Sequence, residues 1–152
     1  MQAENRQRWM GLLARADASA LSALIEGLGE VPSYELLRGP ESGLVTVRGR
    51  AGGSGKPFNL GEMTITRCSV RTADGGIGHA YVQGRRPEHA ERAALLDALL
   101  QDPDRTETLM AEVVAPLERR ETERREARLK ESAATRVEFF TMVRGEDDET
   151  GG

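Results

Sequence analysis

Between residues 33 and 83 the chain is cut three times by glycine-rich turns, and the runs between the cuts carry β-branched and aromatic residues. Short runs of this kind separated by glycine-rich turns are the signature of an antiparallel sheet. The turns are Gly39-Pro40-Glu41-Ser42-Gly43, Gly52-Gly53-Ser54-Gly55 and Asp74-Gly75-Gly76. Their positions predict strands near residues 33–38, 43–51, 61–72 and 76–83. The last two form the best hairpin, because Asp-Gly favours a turn whose twist matches its flanking strands. Alternation in the third run is imperfect. Met63 and Ile65 fall on one face and Cys68 and Val70 on the other, which predicts a bulge or two covered faces.

Helical periodicity brackets this block. Residues 5–29 read as helical: Trp9, Leu12, Leu13 and Ala16 recur at three-to-four spacing, and Leu21, Leu24, Ile25 and Leu28 follow the cap-like Asp17 and Ser19. Residues 87–101 carry the clearest helix, with Pro87 suited to the first position, Glu88 and Glu91 near the positive end of the dipole, and a stripe of Leu95, Leu96, Leu99 and Leu100. A third helical region begins near Asp104 with Leu109, Met110, Val113, Val114 and Leu117 as its apolar face, and Pro116 should break or kink it. Residues 118–131 are almost all charge, and Glu121 with Arg125 has the favourable acid-before-base spacing. The expected fold is α+β: an antiparallel sheet of about four strands packed by N-terminal and central helices, with a helical C-terminal extension. One domain is expected over residues 1–145, made of a helical 1–29, a sheet 33–83, a central helix 87–101 and an extension 104–145. The composition of residues 146–152 predicts a disordered acidic tail.

The net charge of −4, with 21 basic and 25 acidic residues interleaved, gives no basic tract of the kind that neutralises a row of phosphates, so nucleic acid is not an expected partner. The single cysteine allows no internal disulfide. No run approaches the roughly 18 apolar residues of a membrane span, and the opening residues lack a signal-peptide core, so a cytoplasmic location is expected. A hydrophobic content of 38% and an aromatic content of 4% leave modest core material, which hints at completion by a partner.

Candidate chemistry is sparse. Gly55-Lys56 resembles the end of a phosphate-binding loop, but Arg50 stands where that loop needs glycine and Pro57 where it needs Ser or Thr. Cys68, His79 and His89 cannot close a four-ligand zinc site without a carboxylate. His89 and Glu91, two residues apart on a helix, point about 200° apart and cannot share an ion. His89 instead shares a stripe with Ala93, Leu96 and Leu100, as a packed or partner-contacting histidine would. A Cys68–His89 nucleophile–base pair has no support in the spacing. Gln83-Gly84-Arg85-Arg86-Pro87 joins a strand to a helix start, where backbone N–H groups and two guanidinium groups suit either an anion or a neighbouring subunit's acid. Arg85, Arg86, His89, Glu91 and Arg92 are therefore the candidate anion or subunit contacts. Phe139, Phe140, Met142, Val143 and Arg144 are the candidate partner interface. Burying two adjacent rings contributes several kcal/mol at roughly 25 cal/mol per Å2, so they should return to the core or dock on another subunit.

Several of these segments, taken in order, resemble the PhnG family, the G subunit of the bacterial carbon–phosphorus lyase core complex. The resemblance is carried by Arg8-Trp9-Met10, Gly43-Leu44-Val45 with Arg48, the run 61–71, Val82-Gln83-Gly84-Arg85, the helix from His89 through Leu99, Ala115-Pro116-Leu117 and the run 139–145. It implies a subunit that acts with the I, H and L subunits to attach a phosphonate to the ribose of ATP with loss of adenine, giving ribose 1-phosphonate 5-triphosphate. It also implies the J subunit, with an iron–sulfur cluster and S-adenosylmethionine, and the ATP-binding-cassette-like K and L subunits as companions. The resemblance associates the nucleosidase chemistry with the I subunit, and this chain is expected to bind no cofactor or metal, to be non-catalytic, and to aggregate or self-associate when alone. The alternatives are a subunit whose Arg85, Arg86 or His89 meets the triphosphate or phosphonate directly, and a free-standing ligand-binding regulatory module.

Overall fold

A computed structural model describes the backbone of residues 2–146 and the side chains of residues 2–138. The element order is α1 (Gln2–Arg15), α2 (Ala18–Gly27), β1 (Tyr34–Arg50), β2 (Pro57–Thr72), β3 (Ile77–Gln83), α3 (Pro87–Leu100), α4 (Pro103–Leu109), a π-helical turn (Met110–Val114) and α5 (Ala115–Glu146). The fold is the expected α+β, with all sheet pairing antiparallel in the order β1-β2-β3. Two compact units are present, one ending at Leu117 and the other beginning at Glu118. In the second, α5 carries mostly exposed charge, and Leu129 and Val137 are largely exposed.

The sheet has three strands where about four were expected. The runs at 33–38 and 43–51 are one continuous strand, and Gly39-Pro40 lies inside it. Register shifts at Leu36/Arg38 and Arg38/Glu41 absorb the turn-like residues as bulges. β1 is an edge strand, where a proline can omit its ladder hydrogen bond. A third shift, at Val47/Arg48, marks Leu60 as an extra residue of β2 just before the run 61–72 in which a bulge or two covered faces was expected, and from Ile65 to Arg71 that run pairs with β3 without a break.

Alternation along β2 and β3 turns Cys68, Val70, Ala80 and Val82 toward α3, where all four are buried. The helix comes close because Gly78 has no side chain. A Cβ there would overlap the Ala94 carbonyl and stand 2.5 Å from the Ala98 nitrogen. Leu12, Leu13 and Trp9 of α1 and Ala20 and Leu21 of α2 join the same core, as do Leu109, Val113, Val114 and Leu117. The π-helical turn directly precedes Ala115-Pro116, so the expected disturbance at Pro116 is met by a widened turn that accommodates a ring with no N–H to give.

One carboxylate ties the layers together. Asp97, fully buried in α3, accepts from Arg6 Nε at 3.2 Å and Nη2 at 2.8 Å, from Trp9 Nε1 at 2.9 Å and from the His79 backbone N–H at 2.9 Å. Gln101 Nε2 adds a longer contact at 3.4 Å while donating to the carbonyls of Ile77 and Asp97. Helix α1, strand β3 and helix α3 therefore meet at one charge.

Asp97→Ala strands the indole and amide donors and the Arg6 charge, and should cost about 3–5 kcal/mol in chemical denaturation. A loss below about 1 kcal/mol would contradict this role. Gly78→Ala should be at least as damaging as an ordinary overpacking change of about 1–3 kcal/mol, because the obstacle is helix backbone and not a movable side chain.

Candidate functional site

The turn between β3 and α3 is held by a single hydroxyl. Thr66 is buried, and its Oγ1 donates to the Gly84 carbonyl at 2.6 Å and accepts from the Arg86 N–H at 2.9 Å. With that proton spent, Ser42 Oγ is the donor in their 3.0 Å contact. Gly84 adopts φ +87, which a side chain would resist, and its N–H donates to the Thr64 carbonyl at 2.8 Å. The result presents Arg85 and Arg86 at the exposed start of α3, with no acidic partner for either among the described residues.

The other candidates on α3 engage different neighbours. His89 is only 2% exposed, and its Nε2 lies 2.8 Å from the Leu13 carbonyl, so that nitrogen carries the proton and donates. Its Nδ1 is buried with no hydrogen-bond partner among the described residues. Glu91 accepts from the Tyr34 hydroxyl at 2.6 Å, and Arg92 pairs with Glu88 at 3.6 Å, one helical turn back. Of the α3 candidates, the helix start therefore gathers Arg85 and Arg86, while His89 faces α1 and Glu91 faces β1. Phe139, Phe140, Met142, Val143 and Arg144 belong to α5, and their side chains lie outside the described residues.

Hydrogen bonding to Glu91, with burial adding to it, pushes the Tyr34 hydroxyl up from 10.0 to about 12. Burial, helped by the Glu91 charge, pushes the Cys68 thiol up from 9.0 to about 11. That thiol, 3.5 Å from the Arg38 carbonyl, is protonated and inert near neutrality. On the uncovered face of the sheet, Ser69 Oγ and His79 Nδ1 stand 2.8 Å apart as a cross-strand pair. Among the described residues no carboxylate orients that imidazole, as a triad's third member would. Nor do the described residues bring together three groups able to hold a metal ion. A depression of about 540 Å3 lies near the other end of α3, where Arg105 is already paired with Asp74 at 3.4 Å and Asp102 at 3.3 Å.

Three features escaped the sequence reading. Asp97 could have been found, because an acid inside Ala93-Ala94-Leu95-Leu96-Asp97-Ala98-Leu99 must bring its own partners. Thr66 gives no sequence signal, since its role depends on tertiary neighbours. The third is a two-stranded ribbon, residues 43–64, that β3 does not reach: β3 pairs only with residues 65–71. It leaves Leu44, Phe58 and Leu60 exposed by 66%, 46% and 61%.

The family described as "Phosphonate metabolism protein PhnG" matches residues 4–145. A protein of Rhizobium meliloti (strain 1021), named "Alpha-D-ribose 1-methylphosphonate 5-triphosphate synthase subunit PhnG", is 45% identical over 145 residues, covering 93% of this chain and 90% of that protein. No helix among the described residues is long and apolar enough to cross a membrane.

Both raised groups are neutral when protonated and hold their protons longer in the folded than in the unfolded chain. Their contribution to stability should therefore be constant below about pH 9 and be lost as pH rises from 9.0 toward 11 through Cys68 and from 10.0 toward 12 through Tyr34. Urea midpoints across this range check the sign, and a midpoint that rises with pH there would contradict it. At pH 8 about one Cys68 thiol in a thousand is ionised, so alkylation of the native chain should be slow and should become rapid on unfolding.

Proposed function

We propose, from the premise that this chain belongs to the PhnG family of phosphonate metabolism proteins, that it is a subunit of α-D-ribose 1-methylphosphonate 5-triphosphate synthase in a carbon–phosphorus lyase assembly. The ordered residues from Arg8 to Gly145 and the family match point to the same family. What carries the reading is likeness along nearly the whole chain to a protein named as that synthase's subunit, and not a shared motif.

In the reaction so assigned, a phosphonate oxygen bonds to C1 of the ribose of ATP. The bond from C1 to adenine breaks, adenine leaves with the bonding pair and takes up a proton, and ribose 1-phosphonate 5-triphosphate remains. Within this scheme we place the chain as a non-catalytic joint in the cytoplasm, working with the I, H and L subunits. The J and K subunits belong to the same assembly, and the iron–sulfur and S-adenosylmethionine chemistry to J.

The use of this chain's buried polar groups supports that division. Asp97 is occupied by Arg6, Trp9 and the His79 amide, and His89 by the Leu13 carbonyl, so both maintain the fold. A second reading, direct contact with substrate, has one observation in its favour: Arg85 and Arg86 stand exposed at a helix start that attracts anions.

Adenine release by the reconstituted assembly should fall to background when this chain is omitted and return when it is added. His89→Ala should lower stability by about 1–3 kcal/mol, through its lost packing and hydrogen bond, yet leave turnover per assembled complex within about twofold. A hundredfold fall with assembly intact, about 2.7 kcal/mol of transition-state stabilisation, would place the chain among the catalytic groups. Arg85→Ala with Arg86→Ala separates the second reading: a raised KM for ATP or phosphonate in intact complexes would support it.

A further inference from the structure

The hairpin formed by β1 and β2 outruns the rest of the sheet. Beyond Ile65 it is a two-stranded ribbon with no third strand beside it among the described residues. Isolated ribbons of this kind are marginal in water and gain stability by packing against something.

Its two faces differ. Cross-strand partners share a face, so Val45 sits with Met63, Val47 with Gly61, and Gly49 with Phe58. The side chain of Leu60 lies over Gly49, where an added Cβ would stand 2.6 Å from its Cδ1. Val45, Val47, Phe58, Leu60 and Met63 therefore form one apolar face. The opposite face pairs Leu44 with Thr64, Thr46 with Glu62 and Arg48 with Asn59 and ends on Arg50, while Lys56 lies in the turn beyond it.

Charge separates this ribbon from the sheet at its base. There, Arg67 pairs with Glu41 at 3.3 Å and Arg71 with Glu35 at 3.2 Å. On the ribbon, Arg48, Arg50 and Lys56 have no ionic partner among the described residues, and Glu62 is the acid among them. An apolar face backed by Arg48 and Arg50, with Lys56 at the turn and none of the three in an ion pair among the described residues, calls for a surface that is apolar beneath the ribbon and acidic along its edge. A second copy of this chain, stacked apolar face to apolar face, would leave the Arg48 and Arg50 of both copies unmet on the outer faces.

We infer that the ribbon of residues 43–64 is a docking arm: its apolar face packs into an apolar groove of another subunit of the synthase, and carboxylates rimming that groove pair with Arg48, Arg50 and Lys56. This rests on the functional reading above and names the surface through which it would operate. The arm makes the contact, while the helix-covered body of the sheet stays folded without it.

The test uses the full chain co-expressed with the synthase subunits. In one variant residues 47–61 are replaced by Asn-Gly, joining the paired Thr46 and Glu62 through a two-residue turn. In a second, Arg48→Glu, Arg50→Glu and Lys56→Glu are combined. The shortened chain should keep the thermal midpoint of the wild type within a few degrees and lose co-purification at least tenfold. The charge-reversed chain should bind at least tenfold more weakly, and rising salt should weaken it less than the wild type. Undiminished binding by the shortened chain overturns the inference, and undiminished binding by the charge-reversed chain overturns its acidic rim. Loss of self-association alone, by sedimentation, would assign the ribbon to a second copy, and ribbon-dependent retention of a short DNA duplex would assign it to nucleic acid. Either overturns the proposal. If the wild-type chain binds no synthase subunit, the functional reading itself fails, a result distinct from any of these.

Discussion

The structure depends on a carboxylate buried in the middle of an apolar helix. Hydrophobic packing brings α1, the sheet and α3 together but sets no direction, because it scales with area and not with angle. Asp97 supplies the direction. Its oxygens collect donors from Arg6 and Trp9 on one side and from the β3 backbone on the other. A buried acid is costly unless it is paired and hydrogen-bonded, and here every contact that offsets the cost also fixes the position of a neighbouring element. With α1 held in this way, the Leu13 carbonyl comes within reach of His89. The contact with β3 also requires α3 to lie close to the strand, which the missing side chain of Gly78 allows.

Such a tightly tied body makes the uncovered part conspicuous. α3 lies over the sheet where β3 completes it, and β3 is only 7 residues long, against 17 for β1 and 16 for β2. The remaining hairpin keeps strand pairing but lacks a third strand. The two regions also differ in their charges, which form ion pairs at the base of the sheet and none on the ribbon among the described residues. Those contrasts fit a subunit whose inner groups maintain the fold and whose outer surface does the work.

Much of the fold was legible because its signals are local. Pro87 and the leucines after it give the central helix almost to the residue, and Asp17 falls at the N-cap where α1 gives way to α2. The strand count was not legible. Gly39-Pro40 has the composition of a turn, but on a sheet edge the chain bulges and continues, and only the neighbouring strands decide which happens. The site follows the same division. Arg85 and Arg86 were readable as the start of a helix after a strand. Thr66, which shapes their turn, was not, because its partners Ser42, Gly84 and Arg86 lie 24, 18 and 20 residues away. The exposed ribbon shares the alternation of a buried strand, since Val45, Val47, Phe58 and Leu60 would suit a core equally well.

On this reading the chain acts by contact with other proteins, through the part of its sheet that its own helices leave bare. Amide hydrogen exchange, followed on the chain alone and in the assembled synthase, tests it most directly. Amides of residues 43–64 should exchange far more slowly in the assembly, while those around Asp97 are already protected in the isolated chain. Equal exchange of the ribbon in both states would contradict the account.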